Sequence, residues 1–428
     1  MASSPRVSPP VPATRTPQRD STPPRRVKMI LVLGALVALG PLTIDMYLPA
    51  LPGIGDEFGV SSSVAQLTLT GTLAGLALGQ LIVGPLSDSL GRRRPLMVGI
   101  VLHMVASVLC VLAPNIAILG VARGLQGMGA AAAAVVAIAV VGDLFSGSAA
   151  ATVMSRLMLV LGVAPVLAPS LGAAVLLHAS WHWVFLALVL LAGLLLLLAA
   201  LALPETLPVA HRRPLRVRGI AATYAGLLRD ARFVILVLVA ALGMSGLFAY
   251  IAAAPFVLQG RYGVDQQTFA LLFAAGAVAL IGSTQFNVVL LRRFTPQTIV
   301  VWALSSASLA GAVFVGITVA EVGGLYGFLV PVWVILAAMG LVIPNAPAVA
   351  LSRHSEAAGT AAALLGAAQF GLGAAVAPLV GVLGNGEFAL AVVMTAGMVI
   401  ALLALLAVGA PASDDEADAE REAVAEAV

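Results

Sequence analysis

The segment GPLSDSLGRRRPL, Gly84 to Leu96, is a short polar stretch set between two long apolar ones. It holds one aspartate and three consecutive arginines, whereas residues 64–83 and 97–113 contain no Asp, Glu, Lys or Arg. Apolar runs of about 20 residues match the thickness of the hydrocarbon core of a bilayer. The segment 85–94 is therefore predicted to be a basic loop between two membrane-spanning helices, and its arginines favour the cytoplasmic side.

The same pattern extends along the whole chain of 428 residues, of which 61% are hydrophobic and 10% are charged. Soluble domains carry about 25% charged residues, so a water-soluble globule is excluded. The apolar runs are unbroken, which also excludes an outer-membrane barrel with its alternating segments of about ten residues. The sequence predicts an all-α polytopic membrane protein with twelve helices near 29–51, 64–84, 95–113, 116–142, 152–177, 183–203, 233–256, 267–291, 297–319, 325–350, 360–384 and 388–410.

The distribution of basic residues predicts the orientation and the domain organisation. Arginine and lysine concentrate in alternate loops, which places both termini in the cytoplasm of a bacterial inner-membrane protein. A long basic connection separates six helices from six, and an arginine pair recurs about 200 residues after the first arginine run in the equivalent loop. The predicted units are a disordered tail 1–28, a bundle 29–203, a cytoplasmic linker 204–232, a bundle 233–410 and an acidic cytoplasmic tail 411–428.

The residue types needed for bond-breaking chemistry are missing from the sequence. Cys110 is the single cysteine, and no zinc-protease, phosphate-loop or dinucleotide-binding motif is present. The net charge of +3 is explained by membrane topology, so nucleic acid is not an expected partner. We expect no enzymatic activity, no cofactor and no metal, and we expect a monomer in contact with membrane lipid.

Two opposite charges are predicted to lie at one depth of the membrane. Asp45 lies about 9 Å below the outer end of the first helix, and Arg123 about 10 Å below the outer end of the fourth. Because ionisable groups in the hydrocarbon region are costly, both are candidates for proton coupling. The alternatives are a fixed salt bridge and an arginine that extends to the outer headgroups. His103 and Arg156 are weaker candidates, a packed neutral histidine and a headgroup contact.

These motifs resemble the drug:proton antiporters of the major facilitator superfamily, and within it the bicyclomycin and chloramphenicol resistance (Bcr/CflA) branch. The opening segment resembles the family loop G-x-L-x-D-x-x-G-R-R. The resemblance implies two six-helix bundles and a cytoplasmic gate that latches the outward-open state. The implied gate residues are Gly84, Asp88, Gly91, Arg92, Arg93 and Asp143, with Gly84 and Gly91 expected to allow tight turns.

Three further strings extend the resemblance over residues 29–410. LGVARGLQGMGAA, from Leu119, resembles the helix 4 motif whose arginine is linked in the family to proton coupling, and LGPLTIDMYLPALP, from Leu39, resembles the helix 1 signature of the twelve-helix exporters. GVAPVLAPSLGA, from Gly162, is similar to the antiporter motif of helix 5, with the bend expected at Pro165, Pro169 and Gly172. This string departs from the motif by having alanines where the family has glycines.

The resemblance implies proton-coupled efflux of a small hydrophobic antibacterial drug by alternating access. Soft and amphipathic side chains suit such ligands, and the predicted substrate cavity is lined by Tyr47, Gln126, Met158, Met244, Tyr250 and Asn345. A metabolite or sugar transporter of the same fold remains an alternative, since a fold does not fix the substrate. A membrane sensor without transport activity is the alternative from another functional class.

Overall fold

A computed structural model describes residues 23–212, 214–352 and 357–408. The predicted acidic tail and most of the predicted N-terminal tail lie outside these residues. In the described chain the regular structure is helical, and twelve segments are long and apolar enough to cross a membrane. The prediction of an all-α polytopic protein with twelve membrane helices is therefore confirmed.

The helices of the first half form six spans. The first span combines α1 and α2 and extends over residues 27–57, and the other five are single helices. Their bounds are α1 Pro23–Asp45, α2 Leu51–Glu57, α3 Ser62–Leu90, α4 Arg93–Val111, α5 Ile116–Leu144, α6 Gly147–Leu176 and α7 His182–Ala202.

The second half repeats this arrangement after a connecting helix that the sequence pattern did not predict. The connecting helix, α8, lies within the predicted linker 204–232. Asp230 begins the next helix, because its side chain accepts the N–H groups of Arg232 and Phe233. The bounds are α8 Val217–Arg229, α9 Ala231–Pro255, α10 Gln266–Leu290, α11 Pro296–Ala320, α12 Gly324–Leu351, α13 Ala358–Val382 and α14 Glu387–Val408.

The first span is interrupted directly after Asp45. Pro49 lies four residues further on and has no N–H group to donate to the carbonyl of Asp45, so the regular helix cannot continue through it. A 3-10 turn, Leu48–Ala50, follows and leads into α2. The break leaves the last carbonyls of α1 inside the bundle, where other groups must satisfy them.

The loop between the second and third spans is shorter than predicted. The helix α3 continues to Leu90 and α4 begins at Arg93, so residues 91–92 replace the predicted loop 85–94. Gly84, expected to allow a tight turn, instead lies inside α3. Pro85 is tolerated there because the carbonyl that its missing N–H would have bonded, that of Leu81, accepts the Tyr224 hydroxyl at 3.2 Å.

The two halves meet along α3 with α13 and along α6 with α10.

The two ends of the helix bundle carry different connecting segments. We call the end that carries residues 46–61, 262–265 and 383–386 the distal end, and the end that carries residues 91–92, 145–146 and 203–230 the proximal end. Within the first half, α3 and α5 pack backbone to backbone, since a Cβ added at Gly75 would lie 1.9 Å from the carbonyl oxygen of Gly124.

Candidate functional site

Asp45 is a buried carboxylate at the break of the first span. It is 3% exposed, and its Oδ1 atom has no hydrogen-bond partner among the described residues. The ion pairs found in the described chain do not include it. A carboxylate in these surroundings holds its negative charge at a cost of several kcal/mol, whereas the neutral acid largely avoids that cost. The role of Asp45 in proton coupling stays a prediction.

Arg123 of α5 lies next to this break and is fully buried. Its Nη2 donates to the carbonyl oxygen of Thr43 at 2.9 Å, and its Nη1 donates to the amide oxygen of Gln126. Its Cζ lies 4.0 Å from the centre of the Tyr47 ring. The predicted pairing of Asp45 with Arg123 is thus not a direct ion pair here. The guanidinium instead satisfies a carbonyl in the last turn of α1, two residues before the carboxylate.

The close packing of α6 on the same break depends on a glycine. A Cβ added at Gly172 would lie 1.8 Å from the carbonyl oxygen of Met46. Only the hydrogen of glycine fits at this distance, so α6 contacts the backbone directly after Asp45. Pro165 and Pro169, the other residues of the predicted bend, lie inside the continuous helix α6. Their role in a bend stays a prediction.

The residues predicted to line a cavity fall into two groups. Tyr47 and Gln126 are fully buried against Arg123, and Tyr250 is buried with its ring stacked on Phe273 at 5.1 Å. In the second half, Asn345 donates to the amide oxygen of Asn287 at 2.7 Å, and Met244 packs partly buried against the core. Met158 of α6, in the first half, is 46% exposed. Tyr47, Gln126, Tyr250 and Asn345 are closely packed here, so ligand contact requires another conformation of the protein. Their role stays a prediction.

The predicted gate residues Asp88, Arg92 and Asp143 are in contact at the proximal end. Arg92 Nε donates to Asp143 at 2.9 Å, and its Nη1 donates to Asp88 at 2.5 Å and to Ser87 at 2.8 Å. Burial opposes the charge of Arg92, but the hydrogen bonds to Asp143 and Asp88 outweigh it and raise the pKa of the guanidinium. Gly91 permits the turn before Arg92 with a φ of 90°.

Two further residues of this cluster, Glu205 and Thr206, were not predicted. Thr206 donates to Asp143 at 2.8 Å, and Glu205 accepts the backbone N–H groups of Arg92 and Arg93. Burial alone would raise the pKa of the Glu205 carboxyl, but the N–H groups of Leu207, Arg92 and Arg93 and the charge of Arg212 lower it below its usual value. The string PETL at 204–207 was the available sequence signal.

Arg93, another of the predicted gate residues, contacts a backbone carbonyl. Its Nη2 donates to the carbonyl oxygen of Ala200 at 2.6 Å, at the end of α7. A cation at this position interacts favourably with the negative end of the helix dipole. The gate cluster as found therefore joins the second, third, fourth and sixth spans of the first half and the start of the linker.

At the distal end, four hydrogen bonds join the halves. Gln66 of α3 donates to the carbonyl of Ala252 at 2.9 Å and to the amide oxygen of Asn385 at 2.5 Å. Ser63 Oγ donates to the carbonyl of Gly381 at 2.8 Å, and Gln259 donates to the carbonyl of Pro49 at 3.2 Å. The described structure is thus held closed at this end.

Comparisons with known proteins agree with this architecture. Residues 31–378 match the family model described as Major Facilitator Superfamily. An uncharacterized MFS-type transporter, YdgK, of Bacillus subtilis is 38% identical over 85% of this chain and 90% of its own length. A bicyclomycin resistance protein homolog of Haemophilus influenzae is 31% identical over 82% and 88%. The crystal structure of a D-xylose-proton symporter has a TM-score of 0.68 at 16% identity, covering 90% of this chain and 97% of that one.

Proposed function

Because the chain belongs to the major facilitator superfamily and is a multi-pass membrane transporter, we propose that it exports a small hydrophobic antibacterial compound in exchange for protons. The observation that carries the proposal is Asp45, buried at the break of the first span with Oδ1 unpaired in the described structure. A group that gains and loses a proton inside the membrane is what such coupling requires. The likeness to a bicyclomycin resistance protein homolog supports the substrate class.

Asp45 lies four residues before a contact between the two halves. It is followed by the segment in which Pro49 accepts a hydrogen bond from Gln259 of the opposite half. Neutralising Asp45 changes the electrostatic free energy of this segment, and drug binding must favour the charged form if the two ligands are exchanged. Protonation and drug binding would thus favour opposite states of the distal closure.

The energetics are sufficient for this exchange. One proton moving through about 100 mV supplies roughly 2.3 kcal/mol. Since about 1.4 kcal/mol corresponds to a tenfold ratio, this supports roughly a fiftyfold gradient of a neutral compound. The two ends have distinct roles in this scheme: the distal end faces outward, and the proximal cluster around Arg92 latches the inner side when the distal end opens.

The test uses inverted membrane vesicles that contain the protein and are energised by respiration. We expect uptake of radiolabelled chloramphenicol to be lost on addition of an uncoupler, and to be lost in Asp45→Asn. The matched control is Asp56→Asn, which removes an exposed carboxylate from the same span and should retain uptake. If folded wild-type protein accumulates the drug equally with and without the proton gradient, antiport is excluded.

A metabolite transporter gives a different result in the same vesicles. In that case no antibacterial compound from a panel that includes chloramphenicol and bicyclomycin would accumulate above vesicles lacking the protein. An uncoupler-sensitive change of internal pH on addition of a sugar or an organic acid would then identify the alternative substrate class.

A further inference from the structure

The distal hydrogen bonds between the halves use two segments of the second half. Ala252 and Gln259, which lie toward the end of the span 231–261, provide two of the contacts. Gly381 and Asn385, at the corner between α13 and α14, provide the other two. The distal end therefore stays closed only while both segments keep their positions.

The first of these segments ends in a π-helical turn, Phe256–Arg261. Gln259 and Arg261 are two positions apart in this turn, so their side chains point to different sides. Gln259 donates to the carbonyl of Pro49 in the first half, whereas Arg261 binds Glu387 at the start of α14. Single π-helical turns are frequent at functional sites. This turn is thus in contact with the first half on one side and with α14 on the other.

The ion pair between Arg261 and Glu387 is unequally exposed. Arg261 Nε lies 2.9 Å from Glu387 Oε1, and the exposed fraction of the side chain is 57% for the arginine and 8% for the glutamate. A buried carboxylate that loses its cation is strongly destabilised, because it keeps a charge without a partner. A guanidinium that is largely exposed remains solvated when it loses the carboxylate. The closed arrangement therefore depends more on Arg261 than on Glu387.

The ion pair connects the two segments that contact the first half. Arg261 lies two residues after Gln259, and Glu387 lies two residues after Asn385. Asn385 has a left-handed backbone conformation with a φ of 56°, and its N–H group donates to the carbonyl of Val380 at 3.0 Å. The corner is therefore a tight turn on the end of α13. A displacement of Glu387 would move Asn385 with it.

The first half has a contact at the equivalent place. Trp181 Nε1 donates to Glu57 Oε2 at 2.6 Å and joins the end of α2 to the start of α7. In each half, the distal end of the first span is thus bound to the start of the sixth span. This repetition indicates that the contact belongs to the distal architecture of both halves.

We propose that Arg261 and Glu387 are positioning residues of the distal closure. Their ion pair holds the π-helical turn and the corner between α13 and α14 together, so that both contact the first half as one unit. Without the pair the two segments separate, and the distal end opens. The inference does not depend on proton exchange at Asp45, and its test uses neither a drug nor a proton gradient.

The test measures distances between spin labels at Asp56 and Tyr326, two exposed distal positions, in a Cys110→Ala background. The readout is the ratio of long to short distances in the purified protein. We expect Arg261→Gln to raise this ratio at least about tenfold, because it leaves the buried carboxylate of Glu387 unpaired. Arg261→Lys retains the cation and should stay near the wild-type ratio.

A double-mutant cycle tests whether the two residues act as a pair. Glu387→Gln removes the buried charge together with the pair, so it should raise the ratio less than Arg261→Gln does, about threefold. The double variant Arg261→Gln/Glu387→Gln should match Glu387→Gln alone. Arg292→Gln, which removes an exposed arginine at the proximal end, is the matched control and should leave the ratio unchanged.

A second cycle tests the path through Gln259. Gln259→Ala removes the donor to the first half and should raise the ratio by itself. Added to Arg261→Gln, it should have a smaller effect, because the turn has already left the first half. The inference is overturned by an unchanged ratio in folded Arg261→Gln, or in Glu387→Gln if only that variant folds. Effects that multiply in either double variant would also overturn it.

Discussion

Arg123 caps the first membrane helix by donating to the carbonyl of Thr43 at 2.9 Å. The same guanidinium binds Gln126 and lies 4.0 Å above the Tyr47 ring. The guanidinium is planar and carries several N–H donors. One side chain can therefore donate to two acceptors and lie over an aromatic ring. The cap thus links α5 to both sides of the break that follows Asp45.

A lysine at position 123 should not replace the arginine. Lysine keeps the charge but loses the planar fork, so the Thr43 carbonyl and Gln126 cannot both be satisfied in the present geometry. We expect Arg123→Lys to lower the initial rate of drug uptake into vesicles at least tenfold at equal protein abundance. Arg156→Lys, at an exposed site on α6, is the control and should keep the wild-type rate. Equal rates for both variants would show that a point charge is sufficient at position 123.

The distal closure should depend on Gln66. This side chain donates both to Ala252 and to Asn385 in the opposite half. We expect Gln66→Ala to lengthen the distances between spin labels at Asp56 and Tyr326, two exposed distal positions, in a Cys110→Ala background. Gln80→Ala, nearer the proximal end of α3, is the control and should leave these distances unchanged. An unaltered distance distribution in Gln66→Ala would show that apolar packing alone closes the distal end.

The contact between α6 and the break of the first span should tolerate no side chain at position 172. A Cβ there would lie 1.8 Å from the Met46 carbonyl, so Gly172→Ala forces the two backbones apart. Overpacking of this kind costs about 1–3 kcal/mol, and we expect a clear drop in the melting temperature in detergent. Gly162→Ala on the same helix meets Ile281 at an ordinary 3.5 Å and should leave the melting temperature almost unchanged. Similar melting of both variants would contradict the close approach.

Glu205 should make the stability of the proximal cluster depend on pH. Its pKa is lowered in the folded protein, so its contribution is present above the ordinary pKa of a glutamate and is lost as the pH falls through the lowered value. We expect Glu205→Gln to melt about 1–2 °C below wild type at neutral pH, with the difference vanishing on acidification below pH about 4. Asp56→Asn, which removes an exposed carboxylate outside the cluster, is the control and should keep the wild-type melting temperature at neutral pH. A difference that persists at low pH would assign the effect to packing rather than charge.

The sequence was sufficient to predict the twelve spans, because hydropathy depends on local composition. The family resemblance assigned Asp88, Arg92 and Asp143 to one gate, and the structure brings these side chains into contact, while their role as a gate stays a prediction.

The sequence could not show that Arg123 binds a backbone carbonyl rather than Asp45. The depth of a residue in the membrane follows from counting residues along its helix. The partner that its side chain binds depends instead on where the neighbouring helix ends. The break after Asp45 set that direction, and Pro49 accounts for the break without indicating the capping arginine.

The connecting segment illustrates a second limit. Its basic composition predicted a cytoplasmic linker, yet Glu205 and Thr206 bind the cluster around Arg92, and Tyr224 satisfies the carbonyl of Leu81. These contacts pair residues 63 to 143 positions apart in the chain. Local sequence patterns cannot identify such distant pairs. The exception is a motif such as PETL, if it is already known to occur together with the residues that it contacts.

The attachment of this segment also determines how far the halves can separate. Glu205 and Arg212 bind its start to the first half, while α8 packs on α9 and α13 of the second. The chain between Arg212 and Val217 is therefore a tether of five residue steps, which extends to at most about 18 Å. Opening of the proximal end would first stretch the hydrogen bond between Tyr224 and Leu81. The length of the tether would then limit further separation of the two halves. Because the two halves stay joined within that distance, the effective concentration of one half relative to the other is of the order of millimolar.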